Sequence, residues 1–420
     1  MANNQDLYNA RLKRVADAVA LKEPDRMPMI PGASGIPYFL YGDDGASHKA
    51  TYYDPEKAAM ALLKYYQEFS PDIGSGAAYQ SGKANEIVGS TMVDWPGRPG
   101  TRVPDFSTYQ VIENEYISQE EYDEIIKDYS GFIFKKYLPR AYPGLKGLEG
   151  LQINPSIILG TSPLVPLMSA PVQEALKNLI AMAEEHAAHQ AKVADINKQI
   201  AELGFPPYMT GAAQVPFDII SDYFRGTLGM FFDQLEIPDK IAALCDILAD
   251  VQIEQLQYLK HAPLPVKRVF FPLHKGMDGF ISPEQYRDLY WAPFQKIMRE
   301  LIKMGVTPII FTEGSYDTRV KFIREQLEEF PPGSCIIHFE EGDFAKLKKE
   351  FEGIACLSGG MSLYLMEWGK KEQVADRMKF LIDTCAAGGG YLFNTGAGIE
   401  NAKRENVETM FEIGQTYGKK

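Results

Sequence analysis

Short apolar segments alternate along this chain with longer stretches that carry apolar residues at helical spacing. Such an alternation is typical of βα units, in which helices join parallel strands and cover the sheet. The candidate strands lie at residues 26–32, 71–76, 206–211, 267–273, 307–313, 334–340, 354–360 and 389–394. Eight strands close a (β/α)8 barrel, or TIM barrel, and this is the α/β fold that we predict.

One segment, from about residue 80 to residue 150, interrupts the alternation. It is rich in Thr, Val, Tyr, Pro and Gly and ends in an acidic helical stretch. These features predict a β-containing insertion that overhangs one end of the barrel as a lid. No internal repeat or low-complexity tract is present. We expect residues 1–420 to form a single barrel domain with this insertion.

The charge balance restricts the kind of partner. The chain has 43 Lys and Arg against 56 Asp and Glu, a formal net charge of -13. Nucleic acids and anionic membranes bind basic surfaces, so a small molecule or another protein is the expected partner. The four cysteines lack CxxC spacing, the N-terminus lacks the apolar core of a signal peptide, and no apolar run has membrane-spanning length. We therefore expect a cytoplasmic protein with reduced thiols.

Three neighbouring candidate strands lead into side chains that can bind zinc. Glu313 ends the segment IIFTEG, His338 lies in CIIHFEE, and Cys356 lies in IACLSGG. Because the carboxyl ends of barrel strands carry the active site, we expect all three side chains on one rim, where they could hold a catalytic zinc ion. The alternative is that Cys356 is a buried core thiol and that Glu313 pairs with Lys275 or Arg319.

Other polar and aromatic residues follow the same strand ends. His274 comes after the segment 267–273 and could bind substrate, bind metal or cap a loop. Tyr208, Met209, Gln214 and Phe217 surround the third candidate strand and could line a substrate pocket or pack as ordinary loop residues. No glycine motif of a nucleotide site follows a strand, so no nucleotide is expected.

Three separated segments carry a family resemblance. RLKRVADAVALKEPDRMPMIP near the start, FISPEQYRDLYWAPFQKIM, and GGGYLFNTGAGIENAKRENVETMFEIGQTYGK at the end resemble the uroporphyrinogen decarboxylase superfamily. The resemblance implies a (β/α)8 barrel, in agreement with the eight candidate strands. That superfamily contains metal-free decarboxylases of tetrapyrrole acetate groups and zinc methyltransferases that pass methyl groups between donors, corrinoid proteins and coenzyme M.

The chain departs from both branches at their characteristic positions. The decarboxylases have an arginine motif after the first strand, whereas IPGASGIPYFLYGDDG here has no arginine to bind substrate carboxylates. The coenzyme M methyltransferases hold zinc with a His-x-Cys motif and a later Cys, where this chain reads Thr312-Glu313-Gly314 and Gly396-Ala397-Gly398. The methyltransferases that demethylate methoxylated aromatics resemble this superfamily too and vary in their zinc ligands, so that subgroup fits best.

The resemblance thus implies a zinc-dependent methyltransferase of the O-demethylase type, active in anaerobic metabolism. It would cleave a methyl ether and pass the methyl group to the cob(I)alamin of a separate corrinoid protein. Zinc, held by Glu313, His338 and Cys356, would act as a Lewis acid on the ether oxygen. The other expected catalytic residues are His274, Tyr316, Asp317 and Glu340, and the expected substrate contacts are Tyr208, Met209, Phe217, Arg319 and Asn394.

Three alternatives stay open at the level of sequence. The methyl donor could be a thiol, an amine or methyltetrahydrofolate. The protein could be a metal-free decarboxylase of a small carboxylate substrate, with Arg319 or Lys275 as the binding cation. It could also be a non-catalytic binding protein that keeps the barrel. A homodimer is compatible with each of these alternatives.

Overall fold

A parallel β-sheet lies at the centre of the protein in the computed structural model, which describes residues 3–42, 45–76, 80–153 and 160–417. Two short strands form a separate antiparallel pair, and six strands form the parallel sheet in chain order. The strands are β1 (Val93–Asp94), β2 (Gln110–Val111), β3 (Gly211–Ala212), β4 (Arg268–Leu273), β5 (Thr307–Thr312), β6 (Ile336–Phe339), β7 (Cys356–Met361) and β8 (Tyr391–Thr395). The strands β5 to β8 are almost wholly buried, which explains why they read as continuous apolar runs.

Isolated backbone hydrogen bonds continue the sheet from β8 back to β3. Met29 forms a parallel bridge with Phe393 of β8. The N–H of Asp72 donates to the carbonyl of Met29 (2.8 Å), and the N–H of Gly74 donates to the carbonyl of Pro206 (2.9 Å). Pro206 lies five residues before the start of β3. The predicted TIM-barrel fold is therefore confirmed.

The first three candidate strands are less regular than predicted. Segments 26–32 and 71–76 form no regular strand, and the third strand begins only at Gly211. Prolines explain the difference, because a proline has no N–H to donate to a ladder. The prolines in or beside these segments are Pro24, Pro28, Pro31, Pro71, Pro206 and Pro207.

Helices surround the sheet. Most of the longer ones begin with side-chain caps or prolines. In α4, for example, the Asp54 carboxylate accepts from the N–H of Lys57, and Pro55 occupies the first turn. In the described part of the chain, no helix is long and apolar enough to cross a membrane. The α-helices are α1 (Asn4–Val19), α2 (Ile36–Tyr41), α3 (His48–Tyr53), α4 (Pro55–Phe69), α5 (Gly82–Val88), α6 (Tyr122–Lys127), α7 (Tyr129–Phe132), α8 (Leu138–Ala141), α9 (Ala170–Glu202), α10 (Pro216–Ile219), α11 (Gly226–Glu236), α12 (Pro238–Leu256), α13 (Pro283–Gln285), α14 (Ala292–Lys303), α15 (Val320–Leu327), α16 (Phe344–Glu350), α17 (Leu363–Trp368), α18 (Lys371–Leu381) and α19 (Arg404–Thr416).

The insertion contains less β-structure than its composition predicts. Its strands β1 and β2 are two residues long, and most of its regular structure is the helices α5 to α8. The segment between the two strands, WPGRPGTRVPDFSTY, has three prolines and two glycines, which favour turns over a ladder. The β-branched and aromatic residues that suggested strands therefore lie mostly in loops and short helices.

One end of the barrel is closed by its own side chains. Val15, Ala18 and Val19 of α1 pack in one apolar cluster with inward-facing residues of the sheet, among them Ile309 and Leu392. Helix α1 thus covers the end where the strands begin, and the carboxyl ends of the strands are left facing the insertion.

The Asp72 carboxylate joins the two irregular segments, 26–32 and 71–76, through hydrogen bonds to charged and backbone groups. Its carboxylate is fully buried and accepts hydrogen bonds from Arg14 (2.6 Å), from both terminal nitrogens of Arg26 (2.7 Å each) and from the N–H of Met29 (2.7 Å). This network fixes the two segments that lack a regular ladder.

We predict that Asp72→Ala lowers the free energy of unfolding by about 3–5 kcal/mol, because Arg26 then loses its carboxylate partner and Arg14 keeps only the exposed Asp25. Glu202→Ala is the control, since Glu202 forms only an exposed pair with Lys198 at 4.0 Å. That change should cost about 0–1 kcal/mol. Urea denaturation followed by circular dichroism measures both values, and equal effects of the two variants would contradict the assigned role of Asp72.

Candidate active site

A cavity of about 1600 Å³ lies between the carboxyl ends of the strands and the insertion. Phe270 of β4 and Phe311 of β5 stack in its wall with ring centroids 5.6 Å apart. This is the position at which (β/α)8 barrels carry their active sites. Most other large lining residues are also aromatic, and many belong to the insertion: Tyr52, Tyr109, Tyr129, Tyr137, Tyr142, Tyr223, Phe224 and Phe280.

His274 is the central titratable group of the cavity wall. It directly follows β4, and its two ring nitrogens face two carboxylates: Nδ1 lies 2.7 Å from Asp222 and Nε2 lies 3.2 Å from Glu313. Burial by itself lowers the pKa of His274, but these carboxylates outweigh burial and raise its pKa to about 10. His274 is therefore an imidazolium at neutral pH.

Asp218 holds the loop that carries His274. Its fully buried carboxylate accepts the backbone N–H groups of His274 and Lys275 (3.0 Å each) and the hydroxyl of Tyr290 (2.6 Å). Burial, reinforced by the nearby carboxylate of Asp222, raises the pKa of Asp218. The carboxylate thus fixes the backbone on which the imidazole is mounted.

Two π-helical turns bring these partners together. Asp222 lies in the turn Ile220–Arg225, which follows α10, and Tyr290 lies in the turn Tyr286–Trp291, which precedes α14. A π-turn widens the helix locally and redirects its side chains, and such turns recur at functional sites. Here both turns place polar groups around the end of β4.

Lys275 connects this site to the insertion. Its Nζ donates to the hydroxyl of Thr227 (2.9 Å) and lies 3.4 Å from Asp222. Glu113 of the insertion accepts from the backbone N–H of Thr227 at 2.7 Å and also from the Thr227 hydroxyl. The insertion is therefore joined to the active-site rim by a continuous polar chain.

The carboxylates of Glu313 and Glu340 complete the rim. Glu313 follows β5 and is half exposed, while Glu340 follows β6 and accepts the N–H of Gly314 at 2.7 Å. Both line the cavity together with His274. Three of the residues selected from the sequence are thus placed in one wall.

His338 lies inside the barrel and has no nitrogen free for a metal. Asn394 accepts the N–H groups of Gly32 and Thr395 with its Oδ1, so its Nδ2 must be the donor toward His338 Nδ1 at 3.3 Å. The Nε2–H of His338 then donates to the carbonyls of Thr395 and Gly396, each at 3.0 Å. Burial lowers the pKa of His338 to about 4, so the ring is neutral and both nitrogens are occupied.

Cys356 lies at the opposite end of the barrel from Glu313. It is the first residue of β7 and pairs with Ile336, which pairs with Ile309, whereas Glu313 follows Thr312 at the other end of β5. Its side chain packs in the cluster beneath α1, and burial raises the pKa of the thiol to about 12. A protonated thiol in an apolar layer is a poor zinc ligand.

The structure therefore does not bring Glu313, His338 and Cys356 together as the predicted zinc site. Within the described ranges, no cluster of three or more His, Cys, Asp or Glu side chains has a geometry that could hold a metal ion. The alternative of a buried core thiol holds for Cys356. Glu313 pairs with His274 rather than with Lys275 or Arg319.

Tyr316, Asp317 and Arg319 do not reach the cavity. Tyr316 is buried and donates its hydroxyl to the carbonyl of Leu273 at 2.7 Å, so it supports the end of β4. Asp317 is exposed on the outside. Arg319 is buried over the ring of Tyr286 at 4.5 Å and donates to a backbone carbonyl at 2.5 Å. Direct catalytic or substrate roles for these three residues do not fit their positions.

The other expected substrate contacts also lie outside the cavity lining. Tyr208 packs beneath the sheet near Arg268, Met209 is largely exposed, and Phe217 is buried against Tyr290. Asn394 is used in holding His338. Gln214, in contrast, lines the cavity as its position after the third strand suggested.

Sequence reasoning missed Asp218 and Asp222. They lie four residues apart in the segment PFDIISDYF, directly after the third strand, and this spacing puts both carboxylates on one helix face. A paired-carboxylate search at strand ends could have found them. The tyrosines of the insertion gave no comparable signal, because they are scattered and their convergence depends on how the insertion folds.

We predict that the His274 imidazole stays protonated until about pH 10. Its raised pKa stabilises the fold fully below the ordinary value near 6.5, and this contribution is lost as the pH rises through about 10. Asp222→Asn removes one carboxylate and should lower the titration midpoint. Nitrogen-15 NMR of histidine-labelled protein, assigned with His274→Gln, measures it, and a wild-type midpoint near 6.5 would contradict the geometry.

A second prediction concerns metal. Cys356→Ser should leave any metal content and the reaction rate of the purified protein unchanged, since the thiol lies in the closed end of the barrel. Elemental analysis of both proteins tests this expectation. One zinc per chain that is lost in Cys356→Ser would show that Cys356 is a ligand after all.

Comparisons with known proteins agree with this architecture. The family model described as "Uroporphyrinogen decarboxylase (URO-D)" matches residues 164–417, which is more than half of the chain. Comparison with curated protein sequences found no significant match. Among solved structures, a "methyltransferase from Methanosarcina mazei" is similar with a TM-score of 0.60 and 12% identity, covering 97% of this chain and 98% of that one. The chain therefore belongs to the uroporphyrinogen decarboxylase (URO-D) family.

Proposed function

We propose that this protein is a methyltransferase that cleaves a methyl ether on an aromatic compound and passes the methyl group to a separate corrinoid protein. The observation that carries the proposal is the His274 imidazolium, which lies between Asp222 and Glu313 in the wall of an aromatic cavity. Family membership, and a structural neighbour described as a methyltransferase, support methyl transfer as the reaction class.

The main chemical demand of ether cleavage is stabilisation of the leaving oxygen. A nucleophile attacks the methyl carbon, the carbon–oxygen bond breaks, and the electron pair goes to the oxygen. In our proposal the Nε2–H of His274 donates its proton to that oxygen, so the products are a phenol and the methylated acceptor. Water then returns a proton to His274.

The raised pKa suits this leaving group. An ordinary phenol titrates near pH 10, as tyrosine does. Before substrate binds, the pKa of His274 is about 10, and Asp222 keeps that pKa raised when a substrate oxygen replaces Glu313, so the imidazolium can share its proton with a developing phenolate. A histidine with an ordinary pKa would be mostly neutral at physiological pH, so only a minor fraction of the molecules would carry the acidic imidazolium proton.

The neighbouring carboxylates have separate roles in this scheme. Asp222, at 2.7 Å from Nδ1, keeps the ring charged and oriented, as carboxylates do beside catalytic histidines. Glu313 is half exposed and its contact with Nε2 is longer, at 3.2 Å, so a substrate oxygen can replace it. Glu340 lies in the same wall and could exchange protons with solvent through the cavity.

The size of the cavity and the position of the insertion support access by a second molecule. About 1600 Å³ exceeds the usual range of about 300–1,000 Å³ for small-molecule sites. A methoxylated ring would therefore leave space for a methyl acceptor to approach. The insertion would act as a lid, connected to the rim through Glu113, Thr227 and Lys275.

Zinc is not part of this mechanism. The expected ligand His338 has both nitrogens hydrogen-bonded, and Cys356 lies in the closed end of the barrel, so the residues present do not fit a zinc site. In our proposal the proton of His274 does for the leaving oxygen what a Lewis acid would otherwise do.

Decarboxylation of a carboxylate-rich substrate is less well supported by the cavity. Its described lining has four carboxylates, Glu113, Asp222, Glu313 and Glu340, and the cations Lys275 and His274. Both cations already contact carboxylates of the wall. A substrate with several carboxylates would meet a negative surface without free cations to bind it.

We predict that His274→Gln lowers the rate of phenol release from a methoxylated aromatic by about 10²- to 10⁴-fold, the usual contribution of a general acid. His261→Gln is the control, because His261 is exposed at the end of a short helix. The assay supplies a reduced corrinoid acceptor and measures the phenol by chromatography, with thermal melting as a check of folding. Wild-type rates in a folded His274→Gln variant would contradict the proposal.

A further inference from the structure

We propose that the wall beside His274, beyond the end of β3, recognises a neutral hydroxyl group on the substrate ring and disfavours a carboxylate at that position. This inference rests on the proposed ether-cleaving function for the other end of the substrate. Two glutamines, Gln214 after β3 and Gln252 on α12, carry it, and both line the cavity.

Gln252 presents an unused donor. Its side chain is only 7% exposed, and its Oε1 accepts the backbone N–H of Gln214 at 3.1 Å. A backbone nitrogen can only donate, so the amide orientation of Gln252 is determined and its Nε2 is the remaining group. No partner for that Nε2 is found among the described residues.

Gln214 presents an unused acceptor beside it. Its Nε2 donates to the hydroxyl of Tyr223 at 3.2 Å, and its Oε1 has no hydrogen-bond partner in the described part of the chain. The hydrogen bond from the Gln214 backbone N–H to the Gln252 side chain holds the Gln252 amide next to Gln214. A donor and an acceptor together match a hydroxyl, which can accept from one and donate to the other.

The charge of the cavity also selects against a carboxylate at this patch. The lining cations, Lys275 and His274, contact Asp222, and neither is hydrogen-bonded to the glutamines. A carboxylate placed here would find one amide donor and would face the carbonyl oxygen of Gln214. Anions need several donors or a cation to offset the loss of water.

The patch lies at a suitable distance from His274. Ala212 of β3 pairs with Phe270 of β4, so Gln214 is two residues beyond that pair and His274 is four residues beyond it. A strand spacing of about 4.8 Å and a rise of about 3.3 Å per residue place the two backbones roughly 8 Å apart. One aromatic ring can span this gap, with its ether oxygen at His274 and a hydroxyl on the far side.

Binding measurements without turnover test the inference. Dissociation constants for 4-methoxyphenol, anisole and 4-methoxybenzoate are measured by equilibrium dialysis with the whole protein. We expect wild type to bind 4-methoxyphenol at least about tenfold more tightly than either analogue, because only the hydroxyl pairs both amides. Equal affinities for 4-methoxyphenol and anisole, tightest binding of the benzoate, or no binding of any probe would overturn the inference.

Substitutions at two positions of α12 provide a direct test and its control. Gln252→Leu should abolish the preference for the phenol, and Gln252→Glu, which keeps the size and the acceptor oxygen, should weaken phenol binding. Gln255→Leu changes the same residue type on the same helix at an exposed position of the lining and should keep the preference. A preference that survives both Gln252 changes would contradict the assignment.

These results separate the two proposals. A phenol preference without any methyl transfer would support the hydroxyl patch and refute the proposed reaction. Methyl transfer with equal use of anisole and 4-methoxyphenol would support the reaction and refute the patch.

Discussion

The buried carboxylate of Asp218 is the interaction on which the site depends. It joins three elements at the end of β4: the loop with His274 and Lys275, helix α10, and the π-turn with Tyr290. Burying a charged group is costly, and here three hydrogen bonds offset that cost. Because the acceptor contacts two consecutive backbone N–H groups, it determines the direction in which the His274 side chain leaves the strand.

The charged contacts of His274 depend on this backbone position. Asp222 and Glu313 approach opposite nitrogens of one imidazole, and their combined field overcomes the effect of burial and raises the pKa of His274 to about 10. The site thus holds a protonated imidazole at the rim where the sequence predicted a zinc ion. An imidazolium and a metal ion can both stabilise negative charge on a leaving oxygen. The imidazolium proton can be transferred to the product, whereas a metal ion stays with the protein.

The insertion completes the site by supplying four of the tyrosines that line the cavity. Glu113 of the insertion contacts Thr227, and Thr227 contacts Lys275. A movement of the insertion would therefore be transmitted to the rim of the site. The remaining wall, with Gln214 and Gln252, supplies neutral polar groups. His274 with its carboxylates and the two glutamines thus give neighbouring parts of the cavity wall different hydrogen-bonding groups, and this difference underlies the proposed orientation of a substrate.

The sequence by itself determined the barrel, because the alternation of apolar runs and helical stretches is a local property, and it located His274, Glu313 and Glu340 at strand ends. The sequence did not determine the level along the barrel axis at which each side chain lies. That depends on strand register, which put Cys356 level with Ile336 at the closed end. Nor could it show that Asn394 and two carbonyls occupy His338, or that Asp218 holds a loop 56 residues away. Only the tertiary structure decided these contacts, because each requires two distant segments to fold against one another.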